Sequence, residues 1–193
     1  YMMKKHDNIC KYIHLPAQSG NSRILELMNR TYDRQLYISK IDAIRRILGE
    51  DCGISSDMIT GFCSEMEEEH QETLTLMDYV KYDFSYMFYY SERPGTLAEK
   101  KYEDDVSLEV KKRRLTEIID KQQALSLVRN KRDIGKTYEV LVEGYSKRSK
   151  EQMQGRNTAN KVIIFPANGL NKGNYVNVKV YECTTATLFG KIV

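Results

Sequence analysis

The stretch KYIHLPAQSGNSRILELMNR, residues 11–30, changes from a strand pattern to a helix pattern around a single turn. The apolar run at 9–15 predicts a buried strand, and the Pro, Ser and Gly of PAQSG predict the turn. Ile24, Leu25 and Met28 then recur at the spacing of one helix face. A strand that leads through a short turn into a helix is one unit of an α/β fold, so this stretch sets the fold class.

The same order of strand and helix continues to about residue 132. The segments that predict it are helix 33–48, strand 54–62, helix 65–81, strand 84–91 and helix 107–132. Strands separated by helices predict a parallel sheet with right-handed crossovers. Three parallel strands leave an edge unpaired, and parallel sheets are normally covered on both faces. We therefore expect a fragment of a larger α/β protein, which self-associates through its open sheet edge.

After Asp133 the pattern changes to short runs rich in β-branched and aromatic residues. These runs, separated by Gly, Asn and Ser, are KTYEVLVEGYS, NKVIIFP, GNYVNVKVYECT and TLFGKIV. Several short strands in so few residues predict a small antiparallel β-barrel of the OB type. The sequence thus predicts two domains, residues 1–133 and residues 134–193.

Composition excludes several classes of protein. Charged residues make up 30% of the 193 residues, and no apolar run approaches the ~18 residues that a membrane helix needs. We expect a cytoplasmic protein with no membrane partner. The four cysteines form no CxxC pair, which favours isolated thiols over a disulfide framework or a zinc site. The sequence contains no Ser-His-Asp set, Walker loop or cluster of metal ligands, and we expect no bound metal.

Basic charge is concentrated towards the end of the chain. Residues 1–110 carry a net charge of −7, residues 111–136 carry +6, and residues 137–193 carry +4. Anionic partners are expected for the basic part, although a solvated helix face would also explain the middle segment.

Ligands of parallel α/β proteins bind at the carboxyl ends of the strands, where three polar junctions lie in this sequence. Gln18 and Ser19 can hydrogen-bond a ligand, Arg30 can clamp a carboxylate, and Asp57 would be costly inside a barrel unless it binds something. A plain turn, a surface arginine and a hydrogen-bonded core aspartate are the alternative interpretations. We interpret His14 as a core residue rather than a catalytic one.

The predicted barrel contains one basic stretch with nearby aromatic residues. Its cations are Lys147, Arg148, Lys150, Arg156 and Lys161, and the aromatic residues are Tyr145 and Phe165. Cations beside aromatic rings suit phosphate contacts combined with base stacking, which indicates RNA. A basic, solvated loop is the alternative.

Four motifs together give a specific resemblance that covers essentially the whole chain. They are HLPAQSGNSRILELMNRTYDRQLYISKI, SSDMITGF, YSERPGT and VEGYSKRSKEQMQGRNTANKVIIF. In this order they resemble the radical-SAM methylthiotransferases, and the last motif is most similar to the tRNA methylthiotransferases of that family. The resemblance implies the last three βα units of a radical-SAM (βα)6 barrel, followed by a TRAM domain, which is an RNA-binding, OB-like β-barrel.

The resemblance also implies an activity and roles for individual residues. The family's activity is the attachment of a methylthio group to carbon 2 of N6-isopentenyladenosine in tRNA, with S-adenosyl-L-methionine and two [4Fe–4S] clusters as cofactors. By analogy, Gln18, Ser19, Arg30 and Asp57 would line the S-adenosylmethionine pocket, and Tyr90 and Arg93 would lie near the substrate opening. The residues Lys147, Arg148, Lys150, Arg156, Lys161 and Phe165 would contact the anticodon stem-loop of tRNA.

Two departures from the family pattern bear on this interpretation. The cluster-binding CxxxCxxC motif is absent, so we expect this fragment to bind no cluster and to be inactive without the missing N-terminal half of its chain. The usual GFPGE reads GFCSE here, with Cys63 and Ser64 in place of Pro and Gly. Three alternatives stay open: a sister enzyme acting on threonylcarbamoyladenosine tRNA, one acting on a ribosomal protein, and a non-catalytic RNA-binding module.

Overall fold

The computed structural model describes all residues from Tyr1 to Val193, which form two compact units. The sheet unit comprises residues 14–46 and 54–125, and the barrel unit comprises residues 1–13, 47–53 and 126–193. The first 132 residues contain helices α1 (Met2–Lys5), α2 (Ser22–Leu27), α3 (Arg34–Leu48), α4 (Glu67–Val80), α5 (Leu97–Lys101) and α6 (Leu108–Lys131), and strands β1 (Tyr12–His14), β2 (Gly53–Thr60) and β3 (Phe84–Tyr89). No helix is both long enough and apolar enough to cross a membrane.

The three strands form one sheet in the order β1-β2-β3, with β2 and β3 parallel. One face of this sheet carries Ile54 and Met58, which are buried against α3, α4 and α6. The opposite face carries Phe84, Tyr86 and Phe88, three exposed aromatic residues that alternate along β3. The sheet therefore buries one face within this chain and leaves the other open.

The turn after β1 is shaped by two residues. The Asn21 side chain accepts a hydrogen bond from the Ile24 backbone N–H at 3.0 Å, which caps α2. At Gly20, an added Cβ would lie 2.5 Å from the Glu72 carbonyl oxygen and from the Thr73 Cα. Only glycine allows the turn to approach α4 this closely.

The remaining strands close into a five-stranded barrel in the order β4-β5-β6-β8-β7. The strands are β4 (Thr137–Ser146), β5 (Ser149–Arg156), β6 (Val162–Pro166), β7 (Tyr175–Cys183) and β8 (Leu188–Ile192). Alternate residues point inward and form the core, including Val140, Val142, Ile163, Phe165 and Val178.

Three sequence-based expectations need correction. The predicted strand runs omit residues 149–156, but these residues form β5, which pairs with both β4 and β6. The barrel is not wholly antiparallel, because β6 and β8 pair in parallel. β1 was expected to be a buried strand, but its three residues are half-buried or exposed.

Candidate functional site

A cleft of about 820 Å³ opens in the sheet unit, at the carboxyl ends of β2 and β3 and beside the turn that follows β1. Its lining combines polar residues with an apolar wall. The polar lining residues are Gln18, Asn29, Arg30, Asp57, Ser91, Arg93 and Thr96; the apolar and aromatic ones include Leu27, Met28, Ile59, Phe62, Phe88, Tyr90 and Leu97. A concave site of this size and mixed lining suits a small organic ligand.

Gln18 is held in an unusual backbone conformation at this cleft. Its φ is +67°, in the left-handed region that residues other than glycine rarely adopt. Its N–H donates to the Asp57 carbonyl at 2.9 Å, and its own carbonyl accepts from the Ile59 N–H at 2.8 Å. The sheet therefore fixes a strained residue beside the cleft, as is common at functional sites.

Asp57 lies next to Gln18, and its carboxylate is close to the His14 ring. The His14 Nε2 atom is 3.5 Å from the Asp57 carboxylate, and its Nδ1 is 2.7 Å from the Ser55 hydroxyl. His14 is exposed, so the expectation of a core histidine is wrong. The hydrogen bond to Ser55 holds the imidazole ring beside the carboxylate.

The apolar wall of the cleft is a small cluster of its own. The Phe62 and Tyr90 rings pack edge to face with centroids 4.7 Å apart, and Leu27, Met28 and Ala98 pack against the same cluster. Burial beside the Cys63 thiol raises the pKa of Tyr90 to about 12, and burial also raises the pKa of Cys63. Tyr90 thus presents its ring to the cleft and keeps a neutral, buried hydroxyl.

A buried polar network supports the turn that carries Phe62. The Glu65 Oε2 atom accepts hydrogen bonds from the Gly61 N–H at 2.5 Å and from the Arg114 guanidinium at 2.9 Å. Thr60 links Glu65 to His70 at distances of 3.3 and 3.1 Å. Burial raises the pKa of Glu65 and lowers that of His70. The network joins β2, α4 and α6 directly behind the cleft.

One group of side chains has the geometry to hold a metal ion. Glu67, His70 and Glu117 offer ligand atoms that all lie within 4.8 Å of one another. Arg113 already bonds to both carboxylates, and Arg114 bonds to Glu67. The carboxylate charges are therefore satisfied by arginines in this structure.

The cleft brings together most of the cofactor and substrate residues predicted from the sequence. Gln18, Arg30, Asp57, Tyr90 and Arg93 all line it. Ser19 does not, because its side chain is only 1% exposed and its hydroxyl accepts from the Asn21 N–H at 3.2 Å. Sequence reasoning missed Met28, Phe62 and Leu97; nothing in the pattern separated these apolar residues from ordinary core residues.

Five of the six predicted RNA-contact residues of the barrel fall into two groups. Lys147, Arg148 and Lys150 are exposed at and just after the β4–β5 turn. Lys161 is largely buried and forms a 2.7 Å ion pair with Asp133, and Phe165 is 1% exposed in the barrel core. The Phe165 ring therefore packs against other core residues and presents no face to a base.

Arg156 is half-exposed and held in place from two sides. Its Nε atom lies 3.3 Å from the Glu143 carboxylate, and its Nη1 donates to the Asn160 carbonyl at 2.9 Å. It remains on the outer surface of β5, where a phosphate or a base can reach it.

Comparison with known proteins gives matches over the whole chain. The TRAM domain family matches residues 131–193. The chain is 67% identical over 192 residues to the tRNA-2-methylthio-N(6)-dimethylallyladenosine synthase of Amoebophilus asiaticus, covering 100% of the chain and 40% of that relative. Its identity to the synthase of the same name is 56% in Parabacteroides distasonis (97% of the chain, 41% of the relative) and 52% in Flavobacterium johnsoniae (100% and 40%).

The chain thus spans about 40% of the length of these relatives. The TRAM match coincides with the closed barrel, and the identities extend through the cleft as well as the barrel. Over its whole length the chain is similar to these tRNA-2-methylthio-N(6)-dimethylallyladenosine synthases, and its residues 131–193 match the TRAM domain family.

Proposed function

We propose that this chain is part of an enzyme that attaches a methylthio group to carbon 2 of N6-dimethylallyladenosine in tRNA. The observation that carries the proposal is the cleft, which gathers Gln18, Arg30, Asp57, Tyr90 and Arg93 at the carboxyl ends of parallel strands. The activity named for the relatives supports the choice of reaction.

The cleft fits S-adenosylmethionine by the chemistry of its donors. Arg30 offers a guanidinium for the ligand carboxylate, Asp57 offers a carboxylate for ribose hydroxyls or the ammonium group, and Gln18 offers an amide. The wall around Phe62 and Met28 offers an apolar surface for adenine. S-adenosylmethionine supplies a methyl group and the radical chemistry that an unactivated aromatic C–H bond requires.

The chain does not fit an iron–sulfur cluster by itself. Cys52 and Cys63 are buried, Cys10 is exposed, and no three cysteines come together as ligands. We assign the cluster ligands to the part of the relatives' length that this chain does not span.

We also infer that β1-β2-β3 with its helices is the last part of a (βα)6 barrel. The supporting observation is the open sheet face with Phe84, Tyr86 and Phe88 exposed, since a parallel sheet is normally covered on both faces. The remaining segment of the enzyme would cover this face and pair with the edge of β1. In the absence of that segment, we expect self-association through the same edge. We also expect the protein to be cytoplasmic.

The TRAM barrel is the proposed contact to the anticodon stem-loop. Its strand order, β4-β5-β6-β8-β7, is that of an OB-fold, in which the second and third strands and the first inter-strand loop bind oligonucleotides. Here that loop carries Lys147 and Arg148, and the second strand carries Lys150 and Arg156 on its outer side. Phosphate contacts of this kind position the RNA on the protein but do not depend on the base sequence of the RNA.

Binding of S-adenosylmethionine to the 193-residue chain, measured by titration calorimetry, tests the cleft. Arg30→Gln is expected to weaken binding by roughly 10- to 100-fold, because a charge-assisted hydrogen bond is lost. Arg46→Gln is the matched control, an exposed arginine on α3 outside the cleft. Equal effects of the two variants, or no binding by the wild type, would contradict the assignment.

Binding of the chain to an anticodon stem-loop with N6-dimethylallyladenosine, over a salt series, tests the RNA partner. The Lys147/Arg148/Lys150 triple alanine variant is expected to lose affinity and to lower the salt slope. The control is the triple alanine variant of Lys100, Lys101 and Lys112, three exposed lysines of the sheet unit. It removes the same charge and should change the RNA affinity little. Binding that is indifferent to both triples would place RNA recognition elsewhere and favour a non-tRNA substrate.

A further inference from the structure

We propose that the outer face of β5, β4 and β7 is a stacking platform for unpaired RNA bases, centred on Tyr175. This inference rests on the proposed function and adds a surface for the bases to the cations proposed to contact phosphates. It starts from one row of side chains that the barrel register creates: Arg156, Leu141 and Tyr175.

The register makes these three residues direct neighbours across three strands. Leu141 on β4 pairs with Arg156 on β5 and with Tyr175 on β7. Direct cross-strand partners have Cβ atoms about 4.5–5.5 Å apart and point to the same side of the sheet. Val140 and Val142, on either side of Leu141, are buried, so the row points outward.

The row is exposed although two of its members are hydrophobic. Tyr175 is 66% exposed and Leu141 is 37% exposed. An aromatic ring beside an aliphatic side chain and a guanidinium plane presents a surface on which a flat base can stack from above. Every base has such a face, so the platform would accept different sequences.

The surroundings of the row favour RNA over a protein partner. The side chains beside it are polar: Gln154 on β5, Asn177 on β7, and Glu139 and Glu143 on β4, of which Glu143 pairs with Arg156. The segment from residue 137 to the end carries a net charge of +4, and the cations of the β4–β5 turn lie on the same pair of strands as Leu141. Unpaired nucleotides combine a flat apolar base with an anionic phosphate and match this mixture.

Tyr145 provides a second exposed ring on the same strand. It lies four residues beyond Leu141 along β4, roughly 13 Å at the usual rise of a strand, and it is 59% exposed. Between the two rings, Glu143 holds Arg156 in place. The register shift between Val142 and Gly144 pairs Tyr145 with Met153, whose side chain is buried, so Tyr145 lies outside the row and the platform consists of Tyr175, Leu141 and Arg156.

The test measures the affinity of the 193-residue chain for two RNAs over a salt series. One is the anticodon stem-loop with N6-dimethylallyladenosine, and the other is an unstructured oligonucleotide without modification. Tyr175→Ala is expected to weaken binding roughly 5- to 150-fold without changing the salt slope, because stacking releases no counterions. Tyr175→Phe is expected to retain most of the affinity.

Tyr181→Ala is the matched control. Tyr181 is also an exposed tyrosine of β7, at 55%, but it lies at the register shift between Val180 and Glu182, away from the row. Thermal unfolding by circular dichroism should be nearly unchanged in both alanine variants, because both side chains are largely exposed.

Three outcomes would overturn the inference. The first is an unchanged affinity in Tyr175→Ala, and the second is an equal loss in Tyr181→Ala. The third is a change of oligomeric state in Tyr175→Ala by light scattering with RNA affinity retained, which would make the row a protein interface. Tyr175-dependent binding of the unmodified oligonucleotide alone would support the platform and count against the proposed tRNA substrate.

Discussion

Replacing Arg114 by Met tests whether the buried network behind the cleft stabilises the sheet unit. The Arg114 guanidinium donates to the Glu65 carboxylate and to the Glu65 carbonyl, both at 2.9 Å, and its side chain is almost completely buried. Met keeps much of the length and apolar contact of the stem but removes both hydrogen bonds.

The expected loss of stability follows from the interactions that Glu65 loses when Arg114 is replaced. Its side chain is 1% exposed, and without Arg114 it keeps the Gly61 N–H and the Thr60 hydroxyl but no cation. Breaking a buried pair from one side costs about 3–5 kcal/mol in the free energy of unfolding. The second contact of Arg114, to the half-exposed Glu67, adds at most about 1 kcal/mol.

Urea unfolding at pH 7, followed by circular dichroism, measures the loss for Arg114→Met, Glu65→Gln and the double variant. The double variant is expected to recover part of the loss, because the neutral amide leaves no unpaired charge. The loss in Arg114→Met should also be smaller at pH 5 than at pH 7. Burial raises the pKa of Glu65 in the folded state and Arg114 lowers it, so Arg114→Met raises this pKa further, and the stability of the variant falls more than that of the wild type as pH rises through the folded pKa. Equal losses at both pH values, or no recovery in the double variant, would refute the reasoning.

Three further predictions concern single positions. Ser64→Gly should stabilise the chain by about 1 kcal/mol in urea unfolding, because Ser64 has a φ of +60° that glycine adopts without strain; a destabilised variant would show that the Ser64 side chain matters more. Gly20→Ala should destabilise by about 1–3 kcal/mol through the clash with the Glu72 carbonyl, seen as a lower urea midpoint, and an unchanged midpoint would contradict the close approach. Glu67 should titrate with a pKa of about 2 by NMR, because Arg113 holds its carboxylate ionised, and Arg113→Gln should raise that pKa towards the ordinary glutamate value; an unshifted titration in the wild type would show that this ion pair does not persist in solution.

The first two thirds of the fold could be predicted from the sequence because each element has a clear periodic pattern. Every predicted helix and strand before residue 132 is present, with ends displaced by a few residues. β5 could not be found in this way, because SKEQMQGR is rich in residues with low strand propensity. It forms a strand because it pairs with neighbours on both sides and because Met153 and Gly155 face the barrel core. Both are tertiary effects.

The residue types of the candidate site could be predicted from the sequence, but the direction in which each side chain points could not. The prediction of RNA contacts includes Phe165 with the basic residues of its motif, yet in VIIFP it alternates with Ile164 and shares the inward side with Ile163. That alternation was readable and would have placed the ring in the core. Tyr175, in contrast, gains significance only from its neighbours across the barrel, and no single strand contains that information.

The cleft joins residues that are anchored in two different ways, and this difference bears on how it would select a ligand. The backbones of Gln18 and Asp57 are fixed by hydrogen bonds within the sheet, so their short side chains start from fixed positions beside the cleft. Arg30 and Arg93 lie outside the helices and strands, and their long side chains can follow an anionic group. Rigid groups reject a ligand that lacks the matching hydroxyl or amine, because their own hydrogen bonds would then stay unmade. Discrimination between related nucleosides should therefore depend on the strand residues, whereas overall affinity for anionic ligands should depend on the arginines.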